Sequence, residues 1–300
     1  MLSQGSPAGP EGGVAAVVTA FDPDSSLVTV CRSVVDQVDV LVVVDDGSAA
    51  PDESVFDACT ALGATILRQP SNLGIGAALD VGVEHARSLV PGGRPAVLTL
   101  DQDSVVPDGY VAALVGALDR ARRAGVKTAM VGPSAATGIR SAAGQDAGGV
   151  VFSREPIQSG LLFPADALDD LGLFDADLFI DGVDTEYYLR ALRAGSRAVV
   201  APDVALEHRL GRRHEVSVAG RTVPLVYAAT FRYYYIARNR VTLVRRYGRA
   251  FPGWAAGSVV RDVRHLVIVT VAVPGRRARL RETVAGLRDG LRGVTGRRPS

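Results

Sequence analysis

Lysine, cysteine and long apolar runs are scarce in this sequence. Lys127 stands alone against 32 arginines, which excludes most lysine-dependent chemistry. Two cysteines, Cys31 and Cys59, are too few for a disulfide framework, so we expect small core residues and a reducing, cytoplasmic compartment. The most apolar late run, at 265–273, is half as long as the ~20-residue stretch that a membrane-spanning helix needs. Residues 1–13 lack the basic start and apolar core of a signal peptide and are interpreted as a flexible leader.

Charge is distributed unevenly along the chain. The net charge is only +1, yet residues 226–300 contain 16 arginines against three acidic residues, so this region carries about +13 and the rest about −12. We interpret it as a basic helical C-terminal region whose amphipathic segments, 259–270 and 278–292, suit peripheral contact with an anionic membrane. A solvated basic helix that serves solubility is the alternative. Nucleic acid is not the expected partner, because no reading motif accompanies the arginines and the body is acidic.

Short apolar runs that each end in a polar turn predict buried parallel strands. They lie at 14–18, 40–44, 64–67 and 96–100. Helical spacing between them predicts helices at 24–37 and 74–90. Because strand and helix alternate, we expect an open α/β sheet that binds its ligand at the carboxyl ends of the strands.

A further helix is predicted at 184–194 in the second half of the chain. Glu186 is spaced to pair with Arg190, four residues on. Asp181 and Asp184 lie near the start of this helix, where the helix dipole stabilises ionised carboxylates. An aspartate here is suited to accept a proton from an attacking hydroxyl, although a helix start with an ion pair explains the same residues.

The stretch VVVDDGS, at 42–48, ends a predicted strand with two carboxylates. Asp46 is suited to accept a hydrogen bond from the N–H of a pyrimidine base, and Gly47 lets the backbone turn. The alternative is a turn with capping aspartates. The stretch NLGIGAAL, at 72–79, opens a helix with glycines whose free N–H groups can face ribose or phosphate. It lacks the glycine spacing of a nicotinamide site.

The stretch LTLDQDS, at 98–104, ends another strand with Asp101 and Asp103, which repel each other unless a positive group lies beside them. A calcium loop fails, because Val106 and Ala112 occupy the places of its glycine and glutamate. A phosphatase with an aspartyl nucleophile would require a downstream lysine and a later aspartate pair. What remains is a loop that holds Mg²⁺ or Mn²⁺ against a diphosphate, or a plain turn.

Two further segments carry polar chemistry. His208 follows a strand-like run and is either structural or a ligand for a metal or diphosphate. The run RYYYIARNR, at 232–240, is suited to stacking on a sugar or holding a lipid diphosphate, but a core helix stripe explains its tyrosines equally.

Taken in order, these segments resemble the family 2 inverting glycosyltransferases with the GT-A fold, over about residues 14–245. The matching stretches are VVTAF, VDDGS, NLGIGAAL, TLDQDS, SG at 159–160, FIDGVDTEYYLR and HRLG. The resemblance is greatest to the bacterial rhamnosyltransferase branch. Val183 stands where many family members carry glutamate, as it does in that branch.

The resemblance implies a role for each matching residue. Donor binding is assigned to Thr19, Phe21, Asp46, Asn72, Gly76, Asp101 and Gln102. The metal, Mg²⁺ or Mn²⁺, is assigned to Asp103 and His208. Asp184 is the implied catalytic base, with Asp181 as a competing carboxylate. Acceptor binding is assigned to Ser159, Gly160, Asp181 and Glu186.

The implied activity is metal-dependent transfer of L-rhamnose from dTDP-rhamnose, with inversion, to a glycan or lipid-diphosphate-linked acceptor in cell-envelope polysaccharide synthesis. Residues 14–136 would bind the nucleotide sugar, and 137–225 would bind the acceptor and supply the base. The alternatives are a UDP-sugar transferase of the same fold and a catalytically silent sugar-nucleotide-binding subunit. Asp101, Asp103 and Asp184 weaken the silent alternative, because all three are present.

Overall fold

The computed structural model describes residues 12–90, 92–136, 139–140, 142–145, 148–208, 212–218 and 221–298, with side chains except at 136–147, 207–224 and 226. The chain divides into two compact units. The first comprises Met1–Ala176 and Val183–Arg209, and the second comprises Asp177–Gly182 and Leu210–Ser300.

The first unit is built on a mixed β-sheet with 11 strands among the described residues. The strands are β1 (Val14–Ala20), β2 (Val40–Asp45), β3 (Thr65–Arg68), β4 (Ala96–Asp101), β5 (Ser104–Val105), β6 (Thr128–Ala136), β7 (Ile139–Arg140), β8 (Ala142–Gln145), β9 (Val151–Ser153), β10 (Leu161–Phe163) and β11 (Arg197–His208). Their order is β3-β2-β1-β4-β10-β6-β11-β9-β8, with β5 paired to β11 and β7 to β6. Strands β3, β2, β1 and β4 are parallel, which confirms the predicted parallel sheet.

Helices pack on both faces of the sheet of the first unit. They are α1 (Ser26–Val34), α2 (Glu53–Ala61), α3 (Ile75–Leu89), α4 (Tyr110–Arg123), α5 (Ala165–Leu171) and α6 (Val183–Arg193). Ala16 and Val18 of β1 share one apolar cluster with residues of α1, α2 and α4. On the opposite face α3 lies so close that a Cβ at Gly82 would meet Val17 Cγ1 at 2.3 Å. Burial on both faces explains why these strands are almost continuously apolar.

The predicted core cysteines are confirmed. Cys31 of α1 and Cys59 of α2 are both buried and unoxidised. Hydrogen bonding to Cys59 and burial raise the pKa of the Cys31 thiol above its ordinary range. A thiol held in its protonated form is a poor nucleophile.

The second unit combines a β-hairpin with three helices among its described residues. The hairpin pairs β12 (Arg212–Val218) with β13 (Arg221–Tyr227) in antiparallel register. The helices are α7 (Arg232–Tyr247), α8 (Pro252–Ala272) and α9 (Arg276–Arg292), and α9 packs closely on α7. At the crossing a Cβ on Gly286 would lie 2.1 Å from the Tyr234 carbonyl oxygen. Among the helices that the structure describes, none has the length and apolar character required to cross a bilayer.

Candidate active site

The carboxyl ends of β1, β2 and β4 lie side by side in the first unit. Thr19, near the end of β1, is opposite Val44 of β2 and Asp101 of β4. Its side chain is buried, whereas Phe21, two residues further on, is 44% exposed. The strand ends therefore bring the predicted donor-binding residues Thr19 and Asp101 together.

Three hydrogen bonds join the loops that follow these strands. The Phe21 N–H donates to Gln102 Oε1 at 2.7 Å, and Ser26 Oγ donates to the Gln102 carbonyl at 3.2 Å. The Asp22 N–H donates to Ser48 Oγ at 2.7 Å. Gln102 is thus the link between the β1 loop and the acidic β4 loop, and Ser48 links the β1 and β2 loops.

Asp46 lies at the end of β2 and is only 6% exposed. Its carboxylate accepts hydrogen bonds from the backbone N–H groups of Leu73, at 2.7 Å, and Gly74, at 2.9 Å, and from Gln69 Nε2 at 3.1 Å. These bonds attach the turn that begins α3 to the end of β2.

Gly47, which the sequence predicts to let the backbone turn, and Gly76, which it predicts to lie close to a ligand, both approach protein backbone. A Cβ on Gly47 would lie 2.2 Å from the Ser71 carbonyl carbon, and Gly47 has a φ of 73°. A Cβ on Gly76 would lie 3.0 Å from the Asp175 carbonyl oxygen. Both positions therefore need glycine for packing within the first unit, whatever they bind. Asn72, between them in the chain, is half-buried.

Ser159 supports the acidic loop that follows β4, at residues 101–104. The Asp101 N–H donates to Ser159 Oγ at 3.0 Å, and that hydroxyl donates to Ser104 Oγ at 2.6 Å. Ser159 and Ser104 are buried, whereas Asp101 and Asp103 are half-buried. The two carboxylates thus occupy a loop whose backbone is fixed at both ends.

Gly160 holds the adjoining turn in place. It has a φ of 83°, its N–H donates to the Thr99 carbonyl at 2.7 Å, and its carbonyl accepts from the Tyr110 hydroxyl at 2.7 Å. Burial raises the pKa of Tyr110 above its ordinary range. The phenol therefore stays protonated and donates, which stabilises the turn beneath the acidic loop.

The pairing of β5 with β11 brings His208 beside this loop. The backbone of His208 lies opposite Ser104, the residue after Asp103, while its side chain lies outside the part that the structure describes. The backbone of His208 therefore lies beside the residue that follows Asp103, although 105 positions separate the two predicted metal residues in the chain.

The donor set of the acidic loop fits a divalent ion that is bound together with a nucleotide. Among the described residues, no group of three or more His, Cys, Asp and Glu side chains converges into a metal cage. Magnesium in phosphate-binding sites needs only one or two carboxylates, with water and phosphate oxygens as its other ligands. Asp101 and Asp103 supply hard oxygen donors of that kind.

Helix α6 places Asp184 in its first turn, as the sequence predicts. Asp184 is half-buried, and its Oδ1 accepts from the Thr185 N–H at 2.7 Å. The predicted pair of Glu186 with Arg190 is confirmed, with Arg190 Nη2 2.7 Å from Glu186 Oε2. Glu186 is 3% exposed, so its buried carboxylate links two successive turns of α6 through Arg190.

Asp181 belongs to the second unit, unlike Asp184. It accepts two hydrogen bonds from Arg232, at 2.6 and 3.1 Å, and has a φ of 65°. Phe179 has a φ of 64°, so two non-glycine residues of this short segment adopt the left-handed region that costs energy.

Sequence reasoning missed the side chains that brace this segment and the acidic loop. Asn239 Nδ2 donates to the carbonyls of Leu178, Ile180 and Asp181 at 2.7 to 2.9 Å, and Tyr110 supports Gly160. The signal for Asn239 was an amide within an otherwise aromatic and basic helix. No local pattern indicates Tyr110, because its partner lies 50 residues away.

Comparisons with known proteins agree with this architecture. The model of glycosyl transferase family 2 matches residues 16–159. The dTDP-rhamnosyl transferase RfbF of Shigella flexneri is 29% identical over 140 residues, which are 47% of this chain and 46% of that protein. The alignment therefore spans about half of that relative's length.

Two solved structures share the fold at low sequence identity. TarS residues 1–349 of S. aureus, in complex with UDP-GlcNAc, has a TM-score of 0.59 and 14% identity, covering 94% of this chain and 81% of that one. Glucosyl-3-phosphoglycerate synthase from Mycobacterium tuberculosis, in complex with phosphoglyceric acid, has a TM-score of 0.52 and 16% identity, covering 79% and 81%. The resemblance to glycosyl transferase family 2 is thus supported over residues 16–159, and the chain has the GT-A fold.

Proposed function

We propose that this protein transfers L-rhamnose from dTDP-rhamnose, with inversion, to a hydroxyl of a glycan or lipid-linked saccharide in cell-envelope polysaccharide synthesis. The observation that carries the proposal is the joining of three strand-end loops through Gln102 and Ser48, directly beside Asp101 and Asp103. The similarity to a dTDP-rhamnosyl transferase over 140 residues supports the choice of donor.

The nucleotide occupies the carboxyl ends of β1, β2 and β4 in this proposal. Asp46 accepts from the base N–H, and Thr19 and Phe21 line the base pocket. Asn72 and Gly76 lie toward base and ribose. Asp101 and Gln102 contact ribose or phosphate. The 44% exposure of Phe21 beside a buried Thr19 supports this arrangement, because a ring at the rim is available to cover a planar base.

The diphosphate lies against the acidic loop. Asp103, with His208, would hold Mg²⁺ or Mn²⁺, and the bound ion would supply Lewis-acid stabilisation of the leaving diphosphate. Glucosyl-3-phosphoglycerate synthase, which has a TM-score of 0.50 to this chain, was solved with Mn²⁺ and UDP-glucose. Ser159 and Ser104 keep Asp103 in position by fixing the backbone on either side of it.

Asp184 acts as the general base. Its carboxylate takes the proton of the acceptor hydroxyl while the oxygen attacks the anomeric carbon and the bond from that carbon to the diphosphate oxygen breaks. The N-terminal position of Asp184 in α6 supports this role, because the helix dipole keeps the carboxylate ionised and ready to accept.

The acceptor residues divide into contacting and positioning groups in our proposal. Asp181 is a proposed acceptor contact. The positioning group comprises Ser159, Gly160 and Glu186. Each of these residues is buried and already bonded to protein groups, so it would position the acceptor site without contacting the acceptor. We place the activity in the cytoplasm, with the basic region 226–300 at the inner face of the membrane.

A UDP-sugar is the second candidate donor. The structures of TarS and of glucosyl-3-phosphoglycerate synthase were solved with UDP-GlcNAc and UDP-glucose. A UDP-sugar would use the same carboxylates and the same base, because uracil and thymine present the same N–H edge to Asp46.

The test is release of nucleoside diphosphate from a panel of dTDP- and UDP-sugars, with and without Mg²⁺ or Mn²⁺ and with a lipid-linked saccharide acceptor. Asp103→Ala should lower the metal-dependent rate at least ~100-fold, and Asp184→Asn should lower transfer by a similar factor. Asp108→Ala is the matched control, since it removes an exposed aspartate five positions after Asp103.

The outcomes separate the candidates. Turnover of dTDP-rhamnose that is lost in Asp103→Ala and kept in Asp108→Ala supports the proposal. Turnover of a UDP-sugar alone keeps the mechanism and overturns the donor. Binding of donor with no turnover, even with acceptor, would overturn catalysis and favour a silent binding subunit.

A further inference from the structure

Helix α9 exposes one continuous apolar stripe. Its members are spaced four, three and four residues apart, so they lie on one side of the helix. They are Leu280, Val284, Leu287 and Leu291, with exposures of 40%, 64%, 43% and 66%. A different side of α9, roughly 100° around the helix from the stripe, packs on α7 through Gly286 and Gly290. The stripe is therefore an outward surface of the second unit, well separated around the helix from the α7 contact.

Helix α8 exposes a second apolar face of the same kind. Its members recur every three to four residues and are all valines. They are Val260, Val263, Val267 and Val271, with exposures of 65%, 55%, 58% and 82%. The inward side of α8 carries Ala255, Ser258 and Val269, which are buried. Four exposed aliphatic side chains on each of two neighbouring helices are more than scattered surface residues.

Arginines border the apolar stripe of α9. They are Arg277, Arg281, Arg288 and Arg292, all exposed. Each lies three or four positions from a stripe residue or directly beside one, so the two rows run together along the helix. Arg261 and Arg264 on α8 are likewise exposed.

The acidic residues of this region are outnumbered by arginines. Asp262 pairs with Arg240 at 2.6 Å, Asp289 pairs with Arg288 at 3.1 Å, and Glu282 pairs with Arg298 and lies 3.6 Å from Arg281. Because four arginines border the stripe and only Glu282 and Asp289 oppose them on α9, the net charge beside the stripe is positive. A surface that combines aliphatic side chains with arginines matches the boundary of an anionic bilayer, where acyl chains lie beneath phosphate groups.

A second copy of the chain fits this surface less well. The 4-3-4 spacing of the α9 stripe resembles a coiled-coil seam, but the positions flanking a seam must complement each other across the pair. Here arginines would face arginines in a symmetric pair, which is repulsive. Charge complementarity therefore favours an anionic partner.

We propose that the leucine and valine stripe of α9, bordered by Arg277, Arg281, Arg288 and Arg292, together with the valine face of α8, is a surface that inserts into the headgroup region of an anionic lipid bilayer. This inference deepens the proposed function, since it names the surface that would bring the enzyme to a lipid-linked acceptor. It rests on the described contacts of the second unit and does not require the donor assignment.

The experiment is co-sedimentation of the full-length protein with vesicles of phosphatidylcholine alone and of phosphatidylcholine mixed with phosphatidylglycerol. Val284→Gln/Leu291→Gln tests the stripe, and Arg277→Gln/Arg281→Gln tests the charge. Matched controls in the first unit are Val81→Gln/Leu89→Gln and Arg32→Gln/Arg123→Gln, which alter exposed residues of the same types.

We expect binding to the anionic vesicles that weakens with salt, and at least ~10-fold weaker binding in each α9 variant but not in the controls. Absence of binding, or equal loss in the controls, would overturn the surface. A dimer that disappears in Val284→Gln/Leu291→Gln would assign it to a second copy instead. Because the vesicles contain no donor or acceptor, these results are independent of the nucleotide-release assay that tests the transferase.

Discussion

The two units use buried polar side chains in opposite ways. In the first unit, Asp46 is a buried acceptor that holds the N–H groups of Leu73 and Gly74 where α3 begins. In the second unit, Arg279 is a buried donor, 1% exposed, that holds the carbonyls of Val269 and Val273 where α8 ends. Helix starts present unpaired N–H groups and helix ends present unpaired carbonyls. A basic region can therefore stabilise helix ends with the same residue type that it shows to solvent.

Arg279→Met is the substitution that we expect to destabilise the second unit most. Methionine keeps much of the side-chain volume but removes the Arg279 donor from the carbonyls of Val273 and Pro274, whereas the Val269 carbonyl keeps the Val273 N–H. Unsatisfied buried groups cost about 1–3 kcal/mol each, so we expect a loss of about 3 kcal/mol or more in the free energy of unfolding, measured with urea. Arg277→Met, on the exposed side of α9, should change it by less than about 0.5 kcal/mol. Equal effects would mean that Arg279 is only another solvated charge.

Asn239 provides the next test, because it serves three carbonyls of the segment that contains Asp181. Asn239→Asp keeps the shape and places a carboxylate against these oxygens, so we expect about 3 kcal/mol of destabilisation, with Asn239→Ala losing about 2 kcal/mol. Thr242→Ala, one turn along α7, removes a local hydrogen bond and should cost less than about 1 kcal/mol. If Asn239→Asp were as stable as the native chain, the carbonyl contacts would not matter.

A third test concerns how closely the helices of the second unit approach. Gly286→Ala would place a Cβ against the Tyr234 carbonyl, and we expect a loss of about 2 kcal/mol from overpacking. Gly257→Ala, on α8, meets only the end of Arg261 at 3.9 Å and should gain about 0.5–1 kcal/mol from helix propensity. The measurement is the thermal unfolding of both variants. If Gly286→Ala were more stable than the native chain, the contact between α7 and α9 would have room for a methyl group.

The sequence predicts the first unit far better than the second, for a physical reason. Strands that are buried on both faces and end in polar turns are local patterns, so β1, β2 and β4 and their loops could be placed in advance. The ion pair of Glu186 with Arg190 follows from helical spacing alone. The pairing of Asp181 with Arg232 joins residues 51 positions apart, and only the folded chain brings them together.

The burial of Arg238 and Arg279 could not be predicted for the same reason. Composition indicates solvated arginines in a basic region, because an arginine is almost never buried without partners. Both residues are 1% exposed, since backbone carbonyls of other segments supply those partners. Similarly, the sequence predicts only that Ser159 belongs to a turn. Its support of the acidic loop comes from a hydrogen bond to Ser104, which lies in a strand 55 positions earlier.

The last test concerns the pH dependence of stability and is set by Asp80 of α3, a carboxylate of the first unit with one described backbone donor, the Phe174 N–H at 2.8 Å. Burial raises its pKa from 3.8 to about 7, and the nearby carboxylates Glu84 and Asp175 add to the shift. The folded state thus holds a proton that the unfolded state releases. The stability that this group contributes is complete below pH 4 and is lost as the pH rises through about 7.

Asp80→Asn should remove this pH dependence, because the amide cannot ionise and still accepts from Phe174. We expect the variant to match the native chain near pH 4 and to exceed it in free energy of unfolding at pH 8, both measured with urea. Asp108→Asn, at an exposed position of the same unit, should leave the slope between these pH values unchanged. An identical slope in Asp80→Asn and the native chain would show that Asp80 is ionised in both states, so that its partners, like those of Asp46, already compensate for its burial.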